Sequence, residues 1–271
     1  MSLDPKLLSR AIELIERQNG VGARNGRAPG WLEARLSSYL PWLAQRDGVS
    51  VAELVARLES DQASRESLSE LVRVGETRFF RDPPQWHALR QHFLPSLEGS
   101  PRLRGLSAGC STGEEAWTLA MLLGDAARGR PFRVVGLDRS QAALAAAETG
   151  SYASESARDL PSELSARHLE RGTDGSLRVS RALRERVSFV ARDLIDGTGP
   201  GEFDLIVCKN VLIYLAEPAG QRVLGCLENA LHEDGALLVA RSEVPRVRSF
   251  GMSALELAPG VVVFRPRSRA R

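Results

Sequence analysis

The stretch Leu103-Arg104-Gly105-Leu106-Ser107-Ala108-Gly109-Cys110-Ser111-Thr112-Gly113-Glu114-Glu115 decides how the rest of the chain is read. Leu103–Leu106 is an apolar run of strand length. Small residues and the glycines Gly109 and Gly113 follow it, and a helical pattern begins at Glu114 and runs to Leu123. Small residues let the backbone approach a ligand closely, and strand, tight turn, helix is the first half of a βαβ unit.

Downstream the alternation continues. Strand-length runs lie at Phe132–Leu137, Val187–Ala191, Phe203–Cys208, Ala236–Ala240 and Val261–Phe264, with helical patterns at Gln141–Thr149 and Pro218–Leu231. This predicts an α/β domain whose mostly parallel sheet is covered on both faces. Tyr152–Arg186 breaks the pattern. It is long, charged and weakly periodic, and it reads as an insertion with a short strand at Leu177-Arg178-Val179. Upstream, Leu7, Leu8, Ile12 and Ile15 recur at helical spacing, as do Leu32, Leu36, Tyr39 and Leu40, and Val51–Leu58 follows a capping Ser50. No strand pattern is visible there. The expected organisation is an all-α N-terminal domain over 1–72, then an α/β domain over 73–271 with 152–186 inserted.

The bulk composition narrows the function classes. Among 271 residues, 43% are hydrophobic and 26% charged, enough apolar material for a core. A net charge of +2 argues against a nucleic-acid binder. Cys110, Cys208 and Cys226 are far apart, and His87, His92, His168 and His232 have no ligand spacing, so neither disulfides nor a metal site is expected. No signal peptide or membrane-spanning stretch is read, which points to a cytoplasmic protein. Arginines cluster between Arg17 and Arg46 and between Arg167 and Arg186, faces suited to an acidic partner.

Ligands in open α/β sheets lie beyond the carboxyl ends of the strands. Glu114 and Glu115 stand where a phosphate would otherwise dock. Acids favour a helix start in any case, yet they oppose a phosphorylated ligand and suit a cationic one, such as the ammonium of S-adenosylmethionine. Asp138 ends the second strand, where an acid accepts hydrogen bonds from ribose hydroxyls. It can equally cap the next helix, although Ser140 is better placed for that. Asp193-Leu194 after the third strand suit the edge and face of adenine, and Asn210 follows the fourth. Together these residues describe a nucleoside pocket that avoids phosphate. In Gly75-Glu76-Thr77-Arg78-Phe79-Phe80-Arg81-Asp82-Pro83 the phenylalanines read as core, and Arg81 as a clamp for a carboxylate.

Glu76-Thr77-x-Phe79-Phe80-Arg81-Asp82-Pro83, Ser111-Thr112-Gly113-Glu114-Glu115, Gly150-Ser151-Tyr152, Asn210-Val211-Leu212-Ile213-Tyr214 and Ser242-Glu243 together resemble the CheR-type chemotaxis receptor methyltransferases, over nearly the whole chain. The resemblance implies a Rossmann-like class I S-adenosylmethionine methyltransferase domain with a small β-subdomain insertion, preceded by a helical domain. It implies methyl transfer to glutamate side chains of chemoreceptors, leaving S-adenosylhomocysteine. By the same resemblance Gly75, Thr77, Arg81, Glu114, Asp138, Asp193, Leu194, Lys209 and Asn210 bind the cofactor. The partner it implies is the cytoplasmic helical bundle of a receptor.

The chain departs from the family pattern at Gly75 and Asp193, where Asn is usual, at Lys209, where Arg is usual, and at Ala240-Arg241, where Gly-His is common. These changes bear on cofactor affinity and leave the reaction steps in place. The turn Arg171–Ser176 is short for members that grip a receptor tether, so tether-independent docking is expected. A carboxylate acceptor is already ionised near neutral pH, so no general base is needed, in keeping with the absence of a His-Asp or Cys-His pair. Arg81 is read as orienting a carboxylate and Tyr214 as bordering the methyl group. A small-molecule carboxyl methyltransferase and a cofactor-binding module without turnover are the alternatives. No strong oligomerisation feature is present, and a monomer is expected.

Overall fold

The computed structural model describes residues 4–19, 30–61, 64, 77–199 and 201–267. The chain forms two compact units. One joins Met1–Gly75 with Tyr214–Arg222, and the other holds Glu76–Ile213 and Val223–Arg271.

The described part of the first unit is helical. Helices α1 (Pro5–Asn19), α2 (Gly30–Asp47) and α3 (Val51–Ser60) bury Ala11, Leu32, Leu36, Leu40, Leu54, Val55 and Leu58 against one another. Their apolar positions recur every three or four residues, so each helix offers one stripe to the shared core. Ser50 caps α3 in a reciprocal capping box with Glu53. Arg10 on α1 holds Glu59 on α3 through a fork of contacts at 2.7–3.1 Å.

The second unit opens with α4 (Pro83–Ala88), which continues as a π-helical turn over Leu89–Phe93. The α/β alternation then runs β1 (Leu103–Ala108), α5 (Glu114–Ala127), β2 (Phe132–Asp138) and α6 (Gln141–Thr149). Next come β3 (Ser151–Tyr152), α7 (Ser162–His168), β4 (Leu169–Arg171), β5 (Leu177–Val179) and α8 (Arg181–Arg184). The chain continues through β6 (Val187–Ala191), β7 (Phe203–Cys208), α9 (Glu217–Asn229) and β8 (Leu231–Val239). It ends with α10 (Val244–Phe250), β9 (Ser253–Ala258) and β10 (Val261–Arg265).

Seven strands form one sheet in the order β6-β2-β1-β7-β8-β10-β9. All pairs are parallel except those of β10, which runs antiparallel to both neighbours. The chain leaves β1 toward one edge through β2 and β6, then returns to β7 on the other side of β1. That reversal makes a topological switch point and opens a crevice beyond the carboxyl ends of β1 and β7. Leu106, Val134, Leu205, Val207, Leu238 and Val263 are fully buried in the sheet, covered in part by Leu119, Met121 and Leu122 of α5. The fold is therefore the mixed α/β architecture that the sequence pattern predicts.

Three elements differ from the sequence reading. The strand expected at Ala236–Ala240 begins five residues earlier, at Leu231, and the helix before it ends at Asn229 rather than Leu231. His232, Glu233 and Asp234 make the start of that strand polar, so its apolar signal appears only in its second half. Strand β9 gives no apolar run because it is an edge strand whose first four residues are exposed. The segment read as an insertion holds β4 and β5, which with β3 form a separate antiparallel sheet in the order β3-β5-β4. The β4–β5 turn closes through Gly172 N–H to Ser176 O at 2.8 Å.

Candidate active site

The loop between β1 and α5 is tied down from three directions. The Gly109 and Cys110 N–H groups both donate to Leu137 O, at 2.7 and 3.0 Å. Ser111 adopts φ 50°, and its N–H donates to Asp138 Oδ2 at 2.8 Å. The other Asp138 oxygen accepts from Ser140 N–H at 2.9 Å, while Ser140 itself caps α6. Asp138 thus anchors the loop and the turn after β2 together. Each of its oxygens uses one lone pair in this way and keeps another for a ligand hydroxyl.

The third tie is Tyr152. Its hydroxyl accepts from Trp117 Nε1 at 2.7 Å and donates to Thr112 O at 2.6 Å. This gives the Gly150-Ser151-Tyr152 motif a physical role: it pins the glycine loop from beneath. Gly113, at φ 97°, must be glycine, because a Cβ there would lie 2.8 Å from Ala147 Cβ and 3.0 Å from the Tyr152 hydroxyl.

Glu114 is 4% exposed. Its carboxylate accepts from the Thr112 hydroxyl at 2.7 Å and from the Thr77 hydroxyl. Burial raises its pKa above the ordinary carboxylate value, and these hydrogen bonds pull it partly back. Glu115 faces a different environment. It accepts from Ser107 Oγ at 2.8 Å, and burial pushes its pKa up to about 7 against the pull of the nearby Lys209 ammonium.

The loop after β7 packs on the glycine loop, since a Cβ on Gly109 would come 2.5 Å from Val211 Cγ2. Asn210 is left-handed, φ 60°, and its side-chain Oδ1 is buried with no hydrogen-bond partner. A buried acceptor without a donor is costly, so it points to a group that supplies one. The backbone of this loop is held by Glu243. Its carboxylate is 1% exposed and accepts from the N–H groups of Asn210 (3.0 Å), Val211 (2.9 Å), Ile213 (3.2 Å) and Ala240 (2.9 Å). Burial raises the Glu243 pKa, opposed by these four donors. Arg246 adds a contact to Leu212 O.

Arg81 lies between two left-handed residues, Phe80 (φ 57°) and Asp82 (φ 62°). Non-glycine residues of this kind cost about 1–3 kcal/mol each and persist only where their surroundings impose them. Here Phe80 is fully buried and its N–H donates to the Thr118 hydroxyl at 3.0 Å. The Arg81 carbonyl accepts from Trp86 Nε1 at 2.8 Å and from Lys209 Nζ at 2.5 Å.

Most residues singled out in the sequence therefore stand around the ends of β1, β2, β6 and β7. Thr77 meets Glu114, and Asp138 meets the glycine loop. Arg192 N–H donates to Asp138 O at 2.9 Å, bringing the end of β6 beside the end of β2. Asp193 follows, its carboxylate accepting from Ile195 N–H at 2.9 Å, and Leu194 is buried. Tyr214 groups with the helical unit and packs on its core. Gly75 and Glu76 lie outside the described residues, as do Arg24 and Arg27. Glu243 had no assigned role in the sequence reading, and Glu115 was read only together with Glu114, as one of two acids that suit a cationic ligand. Both sit in its motifs, but their partners are other loops.

Residues 75–253 match the family model described as CheR methyltransferase, SAM binding domain. The chain belongs to the CheR methyltransferase family. This CheR-family chain is 31% identical over 242 residues to chemotaxis protein methyltransferase 1 of Pseudomonas aeruginosa, covering 84% of this chain and 88% of that protein. It is 28% identical over 253 residues to a chemotaxis protein methyltransferase of Borreliella burgdorferi, covering 88% of each. It is 33% identical over 221 residues to the probable biofilm formation methyltransferase WspC of P. aeruginosa, where it spans 79% of this chain and 52% of that protein. The methyl donor is S-adenosylmethionine. Among the described residues no helix is long and apolar enough to cross a membrane.

Proposed function

We propose that this protein transfers the methyl group of S-adenosylmethionine to glutamate carboxylates on the cytoplasmic helical bundle of a chemoreceptor, giving glutamyl methyl esters. One observation carries the cofactor side. A buried carboxylate, Glu114, and a buried unpartnered acceptor, Asn210 Oδ1, belong to the two loops that flank the switch-point crevice. That set suits a cationic nucleoside and opposes a phosphorylated one. Glu114 would hold the ammonium, Asp138 the ribose hydroxyls, Asp193 and Leu194 the adenine, and Thr77, Arg81 and Asn210 the remaining polar groups.

When bound, the cofactor supplies a methyl group already activated by its sulfonium charge. The acceptor glutamate is roughly 99% or more ionised near pH 7, so it attacks without a base. What the protein must provide is alignment in a crevice poor in water, which can contribute about 7–11 kcal/mol. Arg81 would orient a carboxylate and Tyr214 would border the methyl group. Arg35 and Arg46, within the arginine run of the N-terminal region, supply one basic face for an acidic receptor helix, and the arginines of the inserted segment supply another. The protein acts in the cytoplasm as a monomer, without a receptor tether.

The test is incubation with labelled S-adenosylmethionine, purified receptor and membranes of the source organism. Base-labile label on the receptor is the expected result. Label on free carboxylic acids with inert receptors would establish a small-molecule enzyme instead, and cofactor binding without any ester would establish a binding module.

A further inference from the structure

Lys209, which the family resemblance sets among the cofactor-binding residues, carries a buried cation whose hydrogen bond and ion pair are with the turn that carries Arg81. Only 2% of its side chain is exposed. Its ammonium donates to Arg81 O at 2.5 Å, lies 3.3 Å from Asp82 Oδ2, and sits 5.2 Å from the centre of the Trp86 ring. Trp86 in turn donates its indole N–H to the same Arg81 carbonyl at 2.8 Å. A lysine has three donors and one charge. Here the acceptors around it belong to the turn that carries Arg81. Behind it lies Glu115, held by the Ser107 hydroxyl at 2.8 Å and close enough to interact with the ammonium.

That turn needs an external hold. Phe80 and Asp82 are both left-handed without being glycine, so an isolated peptide would relax away from this shape. Asp82 precedes the prolines of α4 and makes no side-chain cap bond to that helix. On one side Thr118 grips Phe80 N–H. On the other, Lys209 and Trp86 both donate to the Arg81 carbonyl, and Gln85 N–H donates to Asp82 O at 3.0 Å.

We infer that Lys209 is a positioning residue: it holds the Phe80–Asp82 turn, and through it fixes where the Arg81 guanidinium stands, instead of contacting the methyl donor itself. This rests on the methyltransferase reading and on the role given there to Arg81. It also accounts for a lysine at this position. A compact ammonium fits between a carbonyl, a carboxylate and an indole face, whereas a planar fork is shaped for bidentate partners.

A double-mutant cycle on full-length protein tests it, with Lys209→Met, Arg81→Ala and the pair, measuring kcat, KM for S-adenosylmethionine and melting temperature. Residues coupled through one structure give non-additive effects. Lys209→Met alone is expected to lower kcat/KM about 10- to 100-fold, the size of effect that misplacing a reacting group by about an ångström produces. In the Arg81→Ala background the same change is expected to alter kcat/KM less than about twofold. Additive losses would overturn the inference and put Lys209 on the cofactor. A fall in melting temperature with unchanged kcat/KM would also overturn it, leaving Lys209 a core residue only. Should Lys209→Met not fold, Lys209→Leu in the same cycle likewise removes the donor from the Arg81 carbonyl and carries the same two outcomes. Wild-type turnover on the receptor is measured alongside, so failure of the methyltransferase reading shows as an inactive parent and not as additivity.

Discussion

The carboxylate of Glu243 accepts the backbone N–H of Asn210 at 3.0 Å, across 33 residues of sequence and from the segment that follows the neighbouring strand β8. Three further N–H groups converge on the same two oxygens, and two of them come from the same loop. A loop after a strand has no ladder to satisfy its donors, so a buried carboxylate does so from outside. The geometry of Asn210 is therefore set by a residue that never needs to touch a ligand.

Replacing that carboxylate by its amide should be far from conservative. In Glu243→Gln one oxygen becomes an N–H₂ group that faces donors. The loss is expected to be about 2 kcal/mol, equivalent to a melting temperature lower by roughly 4–8 °C. Differential scanning calorimetry measures it. A melting temperature within about 1 °C of wild type would show that the four contacts do not hold the loop.

Asn210→Ala should behave in the opposite way. The Oδ1 atom has no partner within the protein, so its removal relieves a desolvated acceptor while leaving the left-handed backbone strained. Little net change in stability is expected. Affinity for S-adenosylmethionine should fall about tenfold, the value of roughly one hydrogen bond. Titration calorimetry separates the two. Unchanged affinity would remove Asn210 from the binding set.

The buried acids give stability and cofactor binding opposite pH slopes. Burial raises Glu115 to about 7, and raises Glu114 and Glu243 as well. Between the ordinary carboxylate value and these raised values the folded protein binds more protons than the unfolded chain, so their contribution to stability falls as pH rises. Cofactor binding needs ionised Glu114 against the ammonium, so affinity should rise with pH over Glu114's own titration. Denaturant melts from pH 5 to 8 should show a steeper decline for wild type than for Glu115→Gln. Equal slopes would mean that Glu115 titrates as it does in the unfolded chain.

Receptor methylation should also weaken with salt. Exposed arginines act mainly on association rate, and their reach is about 10 Å at 0.1 M ionic strength. Initial rates at low receptor concentration are expected to fall steeply between about 0.05 and 0.3 M salt, with cofactor affinity nearly constant. A flat response would argue for an apolar docking face.

Sequence periodicity located β1, β2, β6 and β7 because those strands carry apolar runs bounded by turn residues. It missed β9, whose exposed edge position demands no such run, and it shortened β8, whose entry is polar. The placement of Glu114, Asp138, Asp193 and Asn210 near one edge of the sheet was legible because each lies at or soon after a strand end, and a parallel sheet ends its strands at one common edge. The roles of Tyr152 and Glu243, and the partners of Glu115 and Lys209, were not.

What the sequence by itself determined is the alternation of strands and helices, the small-residue turn with its paired acids, and the kind of ligand such a turn accepts. These follow from local periodicity and local charge. Only the tertiary structure decided that Glu243 grips the Asn210 loop, that Asp138 anchors Ser111, and that the Lys209 ammonium rests on the Arg81 carbonyl. Hydrogen bonds between distant loops leave no periodic trace. Their partners are fixed when the sheet brings strand ends together, and burial then makes an unmatched donor or acceptor too costly to leave unpaired unless a ligand completes it.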